Sequence, residues 1–123
     1  MQRPTRILFV EDSEEDVELC QIALQRAGLD CDILVAEDER ELRDAFAAFD
    51  PDLVVCDFRL PTLDGWEALS ITRELRPDIP FLFSSGTIGR ERGREALERG
   101  ASGYVEKGNQ REFVNLVLQL VGA

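Results

Sequence analysis

Five short apolar runs punctuate the chain, at Ile7–Val10, Asp32–Ala36, Leu53–Cys56, Phe81–Ser84 and Gly103–Val105, each bounded by polar or turn-forming residues. Runs this short and this continuous predict strands buried on both faces. Between them the apolar period changes. Val17, Cys20, Leu24 and Ala27 recur at three or four residues, as do Leu42, Ala45, Phe46 and Phe49, and again Phe113, Leu116, Val117 and Leu120. That spacing lines one face of a helix.

The ends of these segments are marked by residues with a physical reason to be there. Ser13 precedes three acids and suits a helix N-cap, because its hydroxyl accepts a free amide while the acids offset the helix dipole. Gly28 stands where a left-handed residue would close that helix. Pro51, Pro77 and Pro80 interrupt helical pattern just ahead of strands, and Asn109 suits the cap of the last helix. The order is a strand followed by a helix, five times. Such alternation predicts an α/β fold, (βα)5, with a parallel sheet covered on both faces and right-handed crossovers. In a sheet of this kind, functional groups gather at the carboxyl ends of the strands.

Composition narrows the classes. The 123 residues suit a single domain, and a hydrophobic fraction of 44% argues for a packed core rather than disorder. No apolar stretch approaches the roughly 18–20 residues that span a bilayer, and the N-terminus lacks a signal peptide's apolar centre, so a cytoplasmic location with no membrane partner is expected. Cys20, Cys31 and Cys56 are odd in number and carry no metal-type spacing, which predicts reduced thiols acting as small buried hydrophobes. Fourteen basic against 25 acidic side chains give a net charge of −11, which excludes direct nucleic-acid binding through a basic face. There is no histidine, so histidine-based nucleophile activation and metal ligation are absent. Phosphoryl chemistry here has to run on carboxylates.

The carboxylates stand in the right places. Glu11 and Asp12 follow the first run and Asp57 follows the third. If those strands are neighbours, three negative charges converge and demand a cation. Only oxygen ligands are on offer, and a site with few carboxylates that leaves room for water and a phosphate oxygen favours Mg²⁺ over Ca²⁺, with Asp12 and Asp57 the leading ligands. Each acid alone would be read as an ordinary helix-capping or solvated residue. Ser85 and Lys107 follow the fourth and fifth runs and add a hydroxyl and an ammonium. Asp57 is a candidate nucleophile that could form an acyl phosphate, with Lys107 and Ser85 contacting its oxygens.

The stretches FVEDSEED, VVCDFRLPTLDGWE, FSSGT and GASGYVEK, taken with the D-x-x-x-P-x-x-D-G run from Asp57 to Gly65, resemble the receiver domains of two-component response regulators over essentially the whole chain. The resemblance implies a doubly wound, flavodoxin-like five-stranded sheet of order 2-1-3-4-5. It implies that Glu11, Asp12, Asp57 and the backbone carbonyl of Arg59 hold Mg²⁺, that Asp57 is the phosphoacceptor, that Ser85 and Lys107 contact the phosphoryl group, and that Ser85 and Tyr104 form the switch pair. It further implies a sensor histidine kinase or phosphotransfer protein as donor, and a downstream output domain or protein reading the surface of the fourth helix, last strand and last helix. Residues 1–123 read as one receiver domain. The stretch SSGTIGRERGREALERGASGYVEKGN also looks like receivers that front multidomain sensor kinases, so excision from a longer protein fits too.

One departure concerns geometry. The family's usual Lys-Pro is Lys107-Gly108 here, which predicts a trans peptide, because a non-proline cis bond costs about 2.5–4 kcal/mol. Two further features have local readings. Gly89 and Gly93 lie among Arg90, Arg92, Arg94 and Arg99, predicting a soft fourth helix with a solvated face, since an interior glycine costs about 0.5–1 kcal/mol against alanine. Trp66 and the phenylalanines read as packing. An aspartate-nucleophile phosphatase of the haloacid-dehalogenase type shares this chemistry but wants a second aspartate at the position held by Arg59. A flavin-binding flavodoxin would offer hydroxyls and glycines where EDSEED stands, and a pseudo-receiver would lack an intact acid site.

Overall fold

In the computed structural model, which describes residues 3–86 and 89–122, five strands and five helices alternate: β1 (Thr5–Val10), α1 (Glu14–Arg26), β2 (Cys31–Ala36), α2 (Glu39–Ala48), β3 (Leu53–Cys56), α3 (Gly65–Leu75), β4 (Phe81–Ser85), α4 (Gly89–Glu98), β5 (Gly103–Glu106) and α5 (Gln110–Val121). Thr87, the end of the FSSGT stretch, lies outside the described residues. All strand pairs are parallel, in the order β2-β1-β3-β4-β5. Each expected strand is present, lengthened by one or two residues at β1, β2, β4 and β5.

Successive side chains on a strand point to opposite faces, and the core divides accordingly. Ile7, Phe9, Leu53, Val55, Leu82 and Val105 pack under α1 and α5 with Val17, Leu24, Phe113 and Val117. Leu8, Val10, Val54, Cys56, Phe81 and Phe83 pack under the other helices with Leu42, Phe46, Leu69 and Ala96. Each fully buried Leu or Phe of this kind contributes about 1.5–3 kcal/mol, so both faces hold the sheet. Phe81, Phe83, Phe58 and Trp66 form a continuous ring cluster on the second face. Phe58 stacks on Phe83 at 4.1 Å, and Trp66 meets Phe58 edge-on at 4.8 Å.

The caps form where the side chains dictate. Ser13 Oγ accepts from the Asp16 amide at 3.2 Å, and Asn109 Oδ1 accepts from the Glu112 amide at 3.2 Å. Gly28 closes α1 with a φ of +88°. Of the three thiols, which are free, only Cys56 is fully buried, while Cys20 and Cys31 are half-buried at the margin of the α1 face. Among the described residues no helix is long and apolar enough to cross a membrane, and no peptide bond is cis, so Lys107–Gly108 is trans as expected, with Gly108 at φ +95°.

Candidate phosphoacceptor site

The site is assembled at the carboxyl edge by the backbone ladders running past the strand ends. The Glu11 amide donates to Ala36 O at 3.2 Å, the Asp57 amide to Val10 O at 3.0 Å, and the Lys107 amide to Ser85 O at 2.7 Å. Because β1 lies between β2 and β3, Glu11 and Asp12 come up beside Asp57. Carboxylate oxygens of Glu11, Asp12 and Asp57 all lie within 4.8 Å of one another. Glu11 is buried, Asp57 half-buried and Asp12 exposed. This group of hard oxygen donors, open to solvent on one side, fits a divalent cation that keeps part of its hydration.

Lys107 reaches into the cluster. Its ammonium donates to Asp16 Oδ2 at 2.7 Å, Glu11 Oε1 at 2.8 Å and Asp57 Oδ2 at 3.2 Å. Burial pushes the Glu11 carboxyl up to about 7, against the pull of the Lys107 hydrogen bond and charge. Burial also works against the Lys107 charge, but its hydrogen bonds to Asp16 and Glu11 and the charges of Glu11 and Asp57 outweigh it and hold the ammonium above the usual lysine range. The hydrogen bond from Lys107 draws the Asp16 carboxyl below its ordinary value. Asp16 was legible in the sequence only as one of three first-turn acids. Its contact spans 91 positions of sequence, and no local pattern announces it.

The loop after β3 explains the spacing from Asp57 to Gly65. The Arg59 amide lies 3.5 Å from Asp57 Oδ1, and Arg59 and Asp64 pair as an isolated antiparallel bridge that folds the loop back on itself. The Asp64 carboxylate then caps α3, accepting from the Trp66 amide at 2.7 Å. Gly65 is required by a close approach, since a Cβ there would stand 2.9 Å from Phe58 Cα and 3.0 Å from a Phe83 ring carbon. Thr62 Oγ1 ties the loop to Glu37 O at 3.0 Å.

Ser85 is buried at the end of β4, in register with Glu106, while its neighbour Ser84 faces the α1 and α5 side, where it lines a small cavity with Asp57 and Lys107. Tyr104 is half-buried and packs against the core of the opposite face. Its ring lies on Gly93 of α4, where a methyl group would overlap ring carbons Cζ, Cε1 and Cε2. Gly93 therefore opens a slot for the tyrosine as well as lowering helix propensity. The helix itself is continuous from Gly89 to Glu98, and an Arg99–Glu95 ion pair at 2.7 Å braces its last turn.

Comparison with known proteins agrees with this architecture. The family model for the response regulator receiver domain matches residues 7–118. The chain is 34% identical over 102 residues to the alkaline phosphatase synthesis transcriptional regulatory protein PhoP of Bacillus subtilis, covering 83% of the chain and 42% of that protein. It is 31% identical over 114 residues to the regulatory protein AtoC of Escherichia coli, covering 93% of the chain and 24% of that protein. The chain thus spans less than half the length of these relatives. Among solved structures, the non-phosphorylated HemR receiver domain of Leptospira biflexa superposes with a TM-score of 0.81 at 27% identity, covering 97% of this chain and 95% of that one. The sheet order, the acid cluster at its carboxyl edge and the match over residues 7–118 together make this chain a member of the response regulator receiver domain family.

Proposed function

We propose that the chain is a phosphoacceptor signalling switch in which Asp57 takes a phosphoryl group in a Mg²⁺-dependent reaction. The observation that carries this reading is the convergence of Glu11, Asp12 and Asp57 oxygens within 4.8 Å, with the Lys107 ammonium already on Asp57. Glu11, Asp12, Asp57 and the Arg59 carbonyl would hold the ion. When bound, Mg²⁺ supplies charge that neutralises and orients the phosphoryl oxygens. An Asp57 carboxylate oxygen attacks phosphorus. The bond from phosphorus to the donor nitrogen or oxygen breaks, its electron pair leaves with the donor, and an acyl phosphate remains.

The added group brings about −1.5 to −2 charges to an acidic site, and Lys107 and the Ser85 hydroxyl are the chain's own groups to meet them. Ser85 then moves toward the phosphoryl group, and Tyr104 with α4, β5 and α5 follows as a population shift. The donor is a sensor histidine kinase, a phosphotransfer protein or a small phosphodonor, and the reader is a downstream output domain or protein. The chain catalyses its own phosphorylation and dephosphorylation rather than turning over a diffusible substrate. Its span of less than half of the matched relatives favours residence in a longer protein.

Mass spectrometry after treatment with acetyl phosphate and Mg²⁺, with hydride trapping of the acyl phosphate, tests the assignment. One phosphoryl group on Asp57 is expected. Label that survives in Asp57→Ala would overturn it.

A further inference from the structure

We infer that Asp16 is a positioning residue, a latch that holds the Lys107 ammonium on the α1 side of the site and releases it when Asp57 is phosphorylated; this rests on the phosphoacceptor reading above. An ammonium has three N–H donors. In Lys107 all three are taken, and the contacts to Asp16 at 2.7 Å and Glu11 at 2.8 Å are shorter than the one to Asp57 at 3.2 Å. One N–H can pass from Asp57 Oδ2 to a phosphoryl oxygen, but a second contact to the phosphoryl group takes an N–H from Glu11 or Asp16.

Burial decides which partner is released. The Glu11 side chain is 5% exposed and that of Asp16 is 37% exposed. A released Asp16 carboxylate is rehydrated, whereas the Glu11 carboxylate has no water to turn to and depends on Lys107 or the bound ion. Asp16 is also poised by its helix. It occupies the third position after the Ser13 cap, where an acid commonly folds back to the cap amide. Here its Oδ2 instead faces Lys107, while its own amide is fixed on Ser13 Oγ. The carboxylate is thus held at one distance from β5 by the first turn of α1, and releasing it disturbs no backbone bond.

Asp16→Asn keeps the size of the side chain and removes the charge that competes for Lys107. Its phosphorylation by acetyl phosphate at saturating Mg²⁺, followed by mass spectrometry, is expected to run about three- to tenfold faster than wild type, the range for loss of one half-exposed charged contact. Asp16→Glu restores the charge and should return the rate toward wild type. In a Lys107→Gln background Asp16→Asn should add no acceleration. NMR of carboxyl-labelled aspartate provides a readout independent of turnover: addition of beryllofluoride to the wild-type protein should move the Asp16 signal to that of a solvated carboxylate.

A rate in Asp16→Asn equal to or below that of a wild-type protein labelled on Asp57 would overturn the latch. So would an acceleration that survives Lys107→Gln, which would mean that Asp16 acts by repulsion alone, or an Asp16 signal unmoved by beryllofluoride. A wild-type chain that takes no label on Asp57 would instead sink the reading on which the latch rests. Asp16→Ser replaces Asp16→Asn should the latter fail to fold.

Discussion

Asp57 stands between two unlike flanks. On the α1 and α5 side it meets charges: Glu11, Asp12, Lys107 and, through Lys107, Asp16. On the α3 and α4 side its neighbour Phe58 opens onto rings, Phe83, Trp66 and Phe81, with Tyr104 on Gly93 beyond them. Charges in a partly hydrated pocket exchange partners at low cost, because each can trade one hydrogen bond for another or for water. Packed rings have no such freedom, and a displaced ring takes its neighbours with it. The charged flank is therefore built to change its bonding, and the aromatic flank to convert a bonding change into a change of shape.

The largest expected effect breaks the charged flank outright. Asp57→Asn should lose all acid-labile phosphate while retaining the fold, as read by mass spectrometry alongside circular dichroism. Next, Asp12→Ala should weaken Mg²⁺ binding by at least about tenfold in calorimetry, since a partly hydrated ion has few protein oxygens to lose. An unchanged affinity would remove Asp12 from the metal site.

Volume, rather than charge, tests the aromatic flank. Gly93→Ala should destabilise the protein by about 1–3 kcal/mol in urea unfolding, because the methyl collides with Tyr104 and displaces it. In a Tyr104→Ala background the same substitution should become stabilising by about 0.5–1 kcal/mol, as only the helix-propensity gain remains. Destabilisation of equal size in both backgrounds would mean that the slot is not what Gly93 provides.

Acidity sharpens the comparison further. The Glu11 carboxyl is raised to about 7 from an ordinary value of 4.5. Between those two values the metal-free folded state keeps a proton that the unfolded chain has lost. The contribution of Glu11 to metal-free stability is therefore full below about 4.5 and falls away as pH rises through about 7. Metal binding runs the other way, because a ligand carboxyl has to be deprotonated, and Mg²⁺ affinity should climb between about pH 6 and pH 8. The smallest effect concerns the thiols. Burial raises Cys20 and Cys31 to about 11 and Cys56 well above the ordinary thiol value, so native protein at about pH 8 should react slowly with an aromatic disulfide reagent, with Cys56 reacting only after unfolding.

Local periodicity carried most of the fold. The strands and the Ser13 and Asn109 caps follow from alternation and cap chemistry, and the carboxyl edge from the rule for parallel sheets, while the convergence of Glu11, Asp12 and Asp57 also needs β1 beside β3, which the family resemblance implied. What escaped the sequence reading is of a different kind. Asp16 looked like a dipole-compensating acid because its partner lies on another strand. Gly93 looked like a weak point in a helix because the ring that fills its slot comes from β5. Gly65 gave no hint of the Phe58 backbone against which it packs. In each case the reason is a contact between elements, and a residue's type can be ordinary locally while its placement is required globally. Cys20 and Cys31 were expected to be buried and are only partly so, since they sit at the margin of the α1 face rather than beneath it.

The single tryptophan of the chain stands at the junction of these parts. Its indole meets Phe58, the residue after Asp57, and carries the Arg99 guanidinium 4.5 Å above its ring, just beyond the end of α4. With no second indole to mask it, the tryptophan emission, excited beyond the tyrosine band, reports on one place only. Ion entry beside Asp57 changes the field on one side of the chromophore, and displacement of α4 changes the cation on the other. A stopped-flow trace on the unlabelled protein should then resolve two optical phases, an early one that tracks metal concentration and a later one that tracks phosphodonor, from a probe that evolution rather than the experimenter has installed.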